Sequence, residues 1–242
     1  MSSRFVLILV SLTLCPANAL LAAEQSQPNI IWIYADDHAS QAISAYDERF
    51  RELAPTPNID RLAKEGAIFR NSYVSNAICG PARACILTGL HSHRNNVPNN
   101  GMPMDFSNPT FPGILRDNGY ATPLYGKWHL KVAPEGFDDW KIMKGQGRYF
   151  SQDYRVKTAR GEKEERIEGY SPDTVANMTM DFLKWNGVSR ANPVINLVPV
   201  SGEFVPVLQS IYSAGWREMC CRQLEKKITA RGKWQYFYVG KE

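Results

Sequence analysis

Three short stretches place reactive side chains at spacings suited to an anionic substrate. Residues 28–37 (PNIIWIYADD) end on two adjacent carboxylates, Asp36 and Asp37. Such neighbours repel unless a cation lies between them, and hard oxygen ligands suit Ca2+ or Mg2+. The same pair would also serve a turn in which Asp caps a helix. In residues 79–83 (CGPAR), Cys79 stands just before a helix that Gly80 and Pro81 would start. A helix amino end offers free N–H groups and the positive end of the dipole, which favour a bound anion. Arg83, one turn in, could reach the same anion or the Cys79 side chain. The alternative is a buried cysteine acting as a small hydrophobe. In residues 126–130 (GKWHL), Lys127 and His129 are two apart and on a strand would face the same way. A cation beside a titratable imidazole suits an anionic substrate, and a solvated strand end is the plainer alternative.

These residues need elements that bring them to one edge. The apolar run at 30–34 predicts a strand buried on both faces, as in a parallel sheet. Residues 56–66 predict a helix, with Thr56 as N-cap, Pro57 at the first position and Gly66 as the stop. Residues 67–74 (AIFRNSYV) predict a second strand, and 81–88 a short helix closed by Gly89. A helix follows at 110–119. The strand expected at 120–129 contains Pro123, which places it near an edge or puts the proline at its start. Residues 145–169, rich in glycine and charge, suggest a surface loop or hairpin. Residues 171–185 predict a helix capped by Ser171, with Val175, Met178, Phe182 and Trp185 on one face. The alternation predicts an α/β fold with a mostly parallel sheet and helices on both faces. In such sheets, sites form at the carboxyl ends of the strands.

The chain has 242 residues, is 44% hydrophobic and 21% charged, and has a mean hydropathy of -0.34. That fits an ordinary globular protein. Residues 1–23 read as a signal peptide: Arg4, an apolar run too short for a bilayer, then small residues. Export to a periplasm or the exterior, with no membrane span, is therefore expected. The formal net charge of +4 resides after Asn186, and residues 1–186 balance to zero. The basic residues of that tail are scattered, and no nucleic-acid-binding module is recognisable. Its periodicity is poor, so 187–242 reads as a divergent basic tail without a clear strand–helix unit. Cys15 would leave with the signal peptide, and the other four cysteines allow three pairings. Cys85 is expected in the core of its helix, and the adjacent Cys220 and Cys221 do not suit a mutual bond. His91 and His93 lie in a turn-like stretch and are read as structural or surface residues. Residues 145–148 (GQGR) are too short to specify a phosphate loop.

Residues 28–37, 56–74, 79–89 (CGPARACILTG) and 119–130 (GYATPLYGKWHL) resemble the amino-terminal part of the formylglycine-dependent sulfatases, which have an alkaline-phosphatase-like fold. The resemblance covers about 28–186. It implies that a dedicated maturase oxidises Cys79 to formylglycine, whose hydrated aldehyde attacks the sulfur of a sulfate ester. It implies that Asp36, Asp37 and the oxidised Cys79 hold Ca2+, with Mg2+ as the alternative ion. Arg83 would steady the nucleophilic hydroxyl, Lys127 would contact that hydroxyl and a sulfate oxygen, and His129 would take the proton that expels sulfate. Residues 136–150 (GFDDWKIMKGQGRYF) resemble the members acting on sulfated sugars, N-acetylglucosamine-6-sulfatases among them. A sulfated carbohydrate is therefore the expected substrate.

The family's pattern continues with an Asp-Asn metal pair, a histidine and a lysine. Here there is no Asp after Asp181 and no His after His129. The expectation is a truncated catalytic domain whose 187–242 tail comes from a frameshift, a mis-called gene end or a degraded gene. Two further classes follow: an inert fragment or sulfated-glycan binder, and a phosphatase or phosphodiesterase of the same fold. The latter would use Thr or Ser as nucleophile, against which Cys79 argues.

Overall fold

A computed structural model describes residues 27–36, 38–185, 195–201 and 235–239. The expected signal peptide, Asp37, Cys15, Cys220 and Cys221 lie outside the described residues, as does most of the 187–242 tail. Seven strands form one sheet: β1 (Ile30–Asp36), β2 (Pro123–Lys127), β3 (Asp139–Met143), β4 (Phe150–Thr158), β5 (Gly161–Tyr170), β6 (Ile195–Ser201) and β7 (Gln235–Val239). Their order is β5-β4-β3-β2-β6-β1-β7. β7, β1, β6, β2 and β3 run parallel, while β4 and β5 form an antiparallel hairpin at one side. Among the described residues four α-helices, α1 (Pro57–Glu65), α2 (Cys79–Thr88), α3 (Phe111–Asp117) and α4 (Ser171–Trp185), cover it.

The expected α/β class with helices on both faces is what the chain adopts. Side chains alternate along β1, so Ile31, Ile33 and Ala35 join a core with Ile59 of α1 and Val175, Met180 and Leu183 of α4. On the opposite face, Ala84 and Leu87 of α2 pack with Leu124, Trp128, Trp140 and Ile142, and Trp32 of β1 and Phe111 of α3 pack against them.

Three readings of the sequence need correction. Residues 67–74 form no strand: the segment runs exposed, with Phe69 at 67% and Tyr73 at 90% of full exposure. Its aromatic and β-branched composition fits a strand, but no described strand pairs with it. Trp185 does not share the buried face of α4. It is 91% exposed, and Val175, Thr179 and Leu183 form the stripe instead. Pro123, by contrast, stands at the first position of β2, one of the two places expected, and its missing N–H is harmless there although β2 is an interior strand buried along its whole length. The tail does contribute strands: β6 inserts between β1 and β2, and β7 borders β1. Among the described residues no helix is long and apolar enough to cross a membrane.

Candidate active site

β1 and β2 end at the same edge of the sheet, and α2 begins beside them. Helix α2 starts at Cys79, two residues before the expected start, and closes at Gly89, whose φ of 68° supplies the left-handed turn. Cys79 thus occupies the first helical turn, half-buried and with a free thiol. Arg83, one turn further in, points to the strand ends. Its guanidinium donates to the Lys127 carbonyl oxygen at 2.6 Å and to Asp36 Oδ2 at 3.1 Å. Lys127 Nζ meets the same Oδ2 at 2.9 Å. Tyr34 presents its ring to the guanidinium carbon at 4.9 Å. Asp36, Lys127 and Arg83 are only 2%, 5% and 6% exposed. Two cations therefore share one carboxylate away from solvent. Burial acts to raise the Asp36 carboxyl, but Arg83 and Lys127 more than offset this and hold it below its ordinary value. A small cavity lined in part by Trp32, Leu87 and Trp128 touches both Arg83 and Lys127.

His129 follows β2 with φ 58°, in the left-handed region. A non-glycine residue held there is a strained position of the kind that clusters at functional sites. Its carbonyl oxygen lies against the start of α2: a Cβ on Gly80 would approach it to 3.3 Å. Its Nδ1 is buried without a hydrogen-bond partner among the described residues, as is Arg83 Nε. Burial lowers the imidazole pKa, and Lys127 and Arg83 lower it further. The folded value thus lies below the ordinary 6.5. The protonated ring is favoured more in the unfolded chain, so its stability contribution is full above that ordinary value. It is lost as pH falls through the folded value. His129→Asn is expected to remove this part of the acid-side loss of stability, read from urea midpoints measured across pH 5–8.

Asn100 is a residue the sequence reading missed. Its Oδ1 accepts the Gly80 N–H at 2.9 Å, and its Nδ2 lies 3.8 Å from Cys79 Sγ. It satisfies one of the free amides at the start of α2 and holds the thiol's neighbourhood. A Cβ on Gly80 would sit 2.9 Å from that Oδ1. Gly80→Ala is therefore expected to cost about 1–3 kcal/mol in chemical denaturation and to displace Asn100 from the thiol. His38, just past β1, is buried and its pKa is lowered by desolvation. It too was passed over. Cys85, expected in the core, is only half-buried and accepts from Asn95 at 3.5 Å. His91 and His93 stack on each other at 5.9 Å on the surface.

The structure thus unites Asp36, Arg83 and Lys127 directly, and brings Cys79 and His129 to them through Gly80 and Asn100. Asp37 lies outside the described residues. A buried acid held between two cations, beside a helix start carrying a thiol, can bind an anion and position a nucleophile against it.

The family model described as Sulfatase matches residues 28–194. The N-acetylglucosamine-6-O-sulfatase of Bacteroides thetaiotaomicron is 40% identical over 187 residues, which cover 75% of this chain and 32% of that protein. The human N-acetylgalactosamine-6-sulfatase is 36% identical, over 47% of this chain and 25% of its own. A solved structure of a protein in complex with its substrate, D-glucosamine-2-N,6-O-disulfate, superposes with a TM-score of 0.65 at 38% identity. It covers 72% of this chain and 34% of that one. The chain spans a quarter to a third of the length of these relatives.

Proposed function

From the premise that the chain belongs to the sulfatase family, we propose that its site hydrolyses a sulfate ester on a carbohydrate, with oxidised Cys79 as nucleophile. The observation that carries this reading is the buried Asp36–Arg83–Lys127 cluster beside the helix start that bears Cys79. With a neutral imidazole at His129 the cluster carries one net positive charge. Arg83 also holds a buried Nε–H donor with no partner among the described residues. Both features suit a sulfate oxyanion. The sulfated amino sugar bound by the solved relative supports a substrate of that class.

Oxidation of Cys79 to formylglycine by a maturase would supply a hydrated aldehyde, whose hydroxyl is a stronger nucleophile than water when deprotonated. Asn100 and the first turn of α2 orient that side chain. Arg83, fixed by Asp36 and the Lys127 carbonyl, keeps a positive charge behind it. Lys127 neutralises a sulfate oxygen. His129, kept neutral by its surroundings, accepts a proton at one ring nitrogen.

Ca2+ takes 6–8 oxygen ligands, and the described residues do not furnish such a set. Among the described residues, Asp36 is the single carboxylate at the cluster, its Oδ2 is already shared by two cations, and no group of three ligating side chains converges. A Ca2+ held by Asp36, Asp37 and oxidised Cys79 would need further oxygen donors, so no step above is routed through it. Because Asp36 Oδ2 is already engaged by both Arg83 and Lys127, the second reading is a chain that binds the sulfated sugar without turning it over.

The two readings separate in one experiment. Purified protein is assayed for sulfate release from an aryl sulfate and from N-acetylglucosamine-6-O-sulfate, and the Cys79 peptide is weighed by mass spectrometry. Sulfate release with an aldehyde at Cys79 is expected. An intact thiol with no release, but retained binding, would favour the binder. Export, with residues 1–23 as leader, completes the proposal. Detection of the mature amino terminus in a periplasmic or culture fraction tests it.

A further inference from the structure

Beside this site lies a turn that the reaction does not use. Residues 144–149 leave the carboxyl end of β3 and return into β4. β3 is the direct neighbour of β2, and Met143 pairs in register with Lys127. The turn therefore rises from the same edge of the sheet, one strand from the cluster.

It is tied down more firmly than an idle surface turn requires. The Arg148 N–H donates to Oε1 of Gln152, and the Ser171 hydroxyl donates to the Arg148 carbonyl. The Ser171 N–H donates to the Tyr149 carbonyl at 2.7 Å. Gln152 and Ser171 are each 2% exposed. Gly147, with φ +88°, packs so closely that a Cβ would lie 2.8 Å from Met143 Sδ. This anchored backbone presents Arg148, Tyr149 and Phe150 to solvent, beside the exposed Lys144, Gly145 and Gln146. Tyr149 and Phe150 are 56% and 65% exposed, and Phe150 rests on the Tyr170 ring at 5.1 Å.

The charges nearby make Arg148 stand out. Lys141, Lys144, Arg155, Lys163 and Arg166 are each paired with a carboxylate of the hairpin. Arg148 has no such partner among the described residues. Arg160, likewise without a carboxylate partner among the described residues, sits in the turn between β4 and β5, at the opposite end of the hairpin from the site. An uncompensated guanidinium next to exposed aromatic rings, on a backbone locked by buried polar groups, is a preorganised means of reading a flat, anionic ligand.

We propose that the 144–150 turn is a specificity subsite: Tyr149 stacks on a sugar ring, and Arg148 binds a second anionic group of the substrate, on that sugar or its neighbour. This rests on the site reading above and names what that site selects, a sugar bearing more than one negative charge.

Binding to the full chain is measured calorimetrically with three probes: N-acetylglucosamine-6-O-sulfate, glucosamine-2-N,6-O-disulfate, and 6-O-sulfated N-acetylglucosamine linked to a uronic acid. The native chain is expected to prefer at least one doubly charged probe by about tenfold. Arg148→Ala should erase that preference and leave the singly charged probe within about twofold. Arg148→Lys should retain part of it, because the charge stays but the fork is lost. Tyr149→Ala should weaken all three by a similar factor of about three to ten. Which doubly charged probe loses affinity in Arg148→Ala assigns the second group as sulfo or carboxylate. Lys127→Met reports on the site itself. If it abolishes binding while Arg148→Ala keeps the native preference, the subsite is wrong and the site reading stands. If the native chain binds none of the probes, both fall. Thermal unfolding of each variant distinguishes loss of binding from loss of fold.

Discussion

Asp36→Asn is expected to destabilise the protein by about 3–5 kcal/mol. The substitution keeps the shape of the side chain and removes its charge, leaving Arg83 and Lys127 close together with no anion between them. All three groups are nearly inaccessible to water, so solvent cannot take over the screening that it provides at a surface pair. A loss of this size is a large part of a domain's usual stability of about 5–15 kcal/mol, and a urea titration would show it as a large drop in midpoint. Asp36→Asn combined with Lys127→Met should recover part of the loss, since one unpaired charge leaves with the second change. The pH dependence supplies an independent reading. With its folded pKa held below the ordinary 3.8, Asp36 contributes stability that is complete above that value and is lost as pH falls through the folded one. The variant should have a flatter acid limb. A midpoint unchanged within about 1 kcal/mol would mean that the two cations are solvated and the cluster is not the buried pivot described.

Cys79→Ser is expected to fold as the native chain does and to lose turnover by at least about 10³-fold, the scale of removing a nucleophile. Cys79 is half-buried and, among the described residues, its Sγ has a distant polar contact with Asn100 alone, so an oxygen in its place disturbs little packing. The chemistry differs more. Serine offers one hydroxyl, and once it carries a sulfo group, release requires water to attack the sulfur. His129 then has no second hydroxyl proton to accept. The variant should consume one equivalent of aryl sulfate at most, and intact-protein mass spectrometry should find the added group on Ser. Repeated turnover at the native rate would remove Cys79 from the role of nucleophile.

Much of the site was legible because its parts sit at element ends that leave marks in the sequence. The apolar run before Asp36, the Gly80-Pro81 start before Arg83, and the strand before Lys127 each locate a side chain at one edge of a parallel sheet. Asn100 left no such mark: it lies in a stretch of turn-forming residues, and its role depends on a fold-back onto Gly80 that only the tertiary structure creates. Residues 67–74 show the converse. Their composition suits a strand, yet strand formation needs a partner's hydrogen bonds as well as propensity. Trp185 failed for a related reason, since its spacing from Val175, Met178 and Phe182 fits a helical face but it lies at the end of α4, beyond the core. Ser171 illustrates divided use: its hydroxyl, expected to cap α4, instead reaches the 144–149 turn.

The position of β6 has a consequence in time. Ile30 finds its neighbour at Ile195, so the middle of the sheet cannot close until residues 195–201 have been made. Pairings this remote in the chain are slow to form. At a synthesis rate of about 5–20 residues per second, the interval between residue 79 and residue 201 is on the order of ten seconds. Throughout it the segment around Cys79 has been made while the strands that frame it remain unzipped. The oxidation proposed for Cys79 would find that thiol most accessible during this interval, before completion of the sheet encloses it.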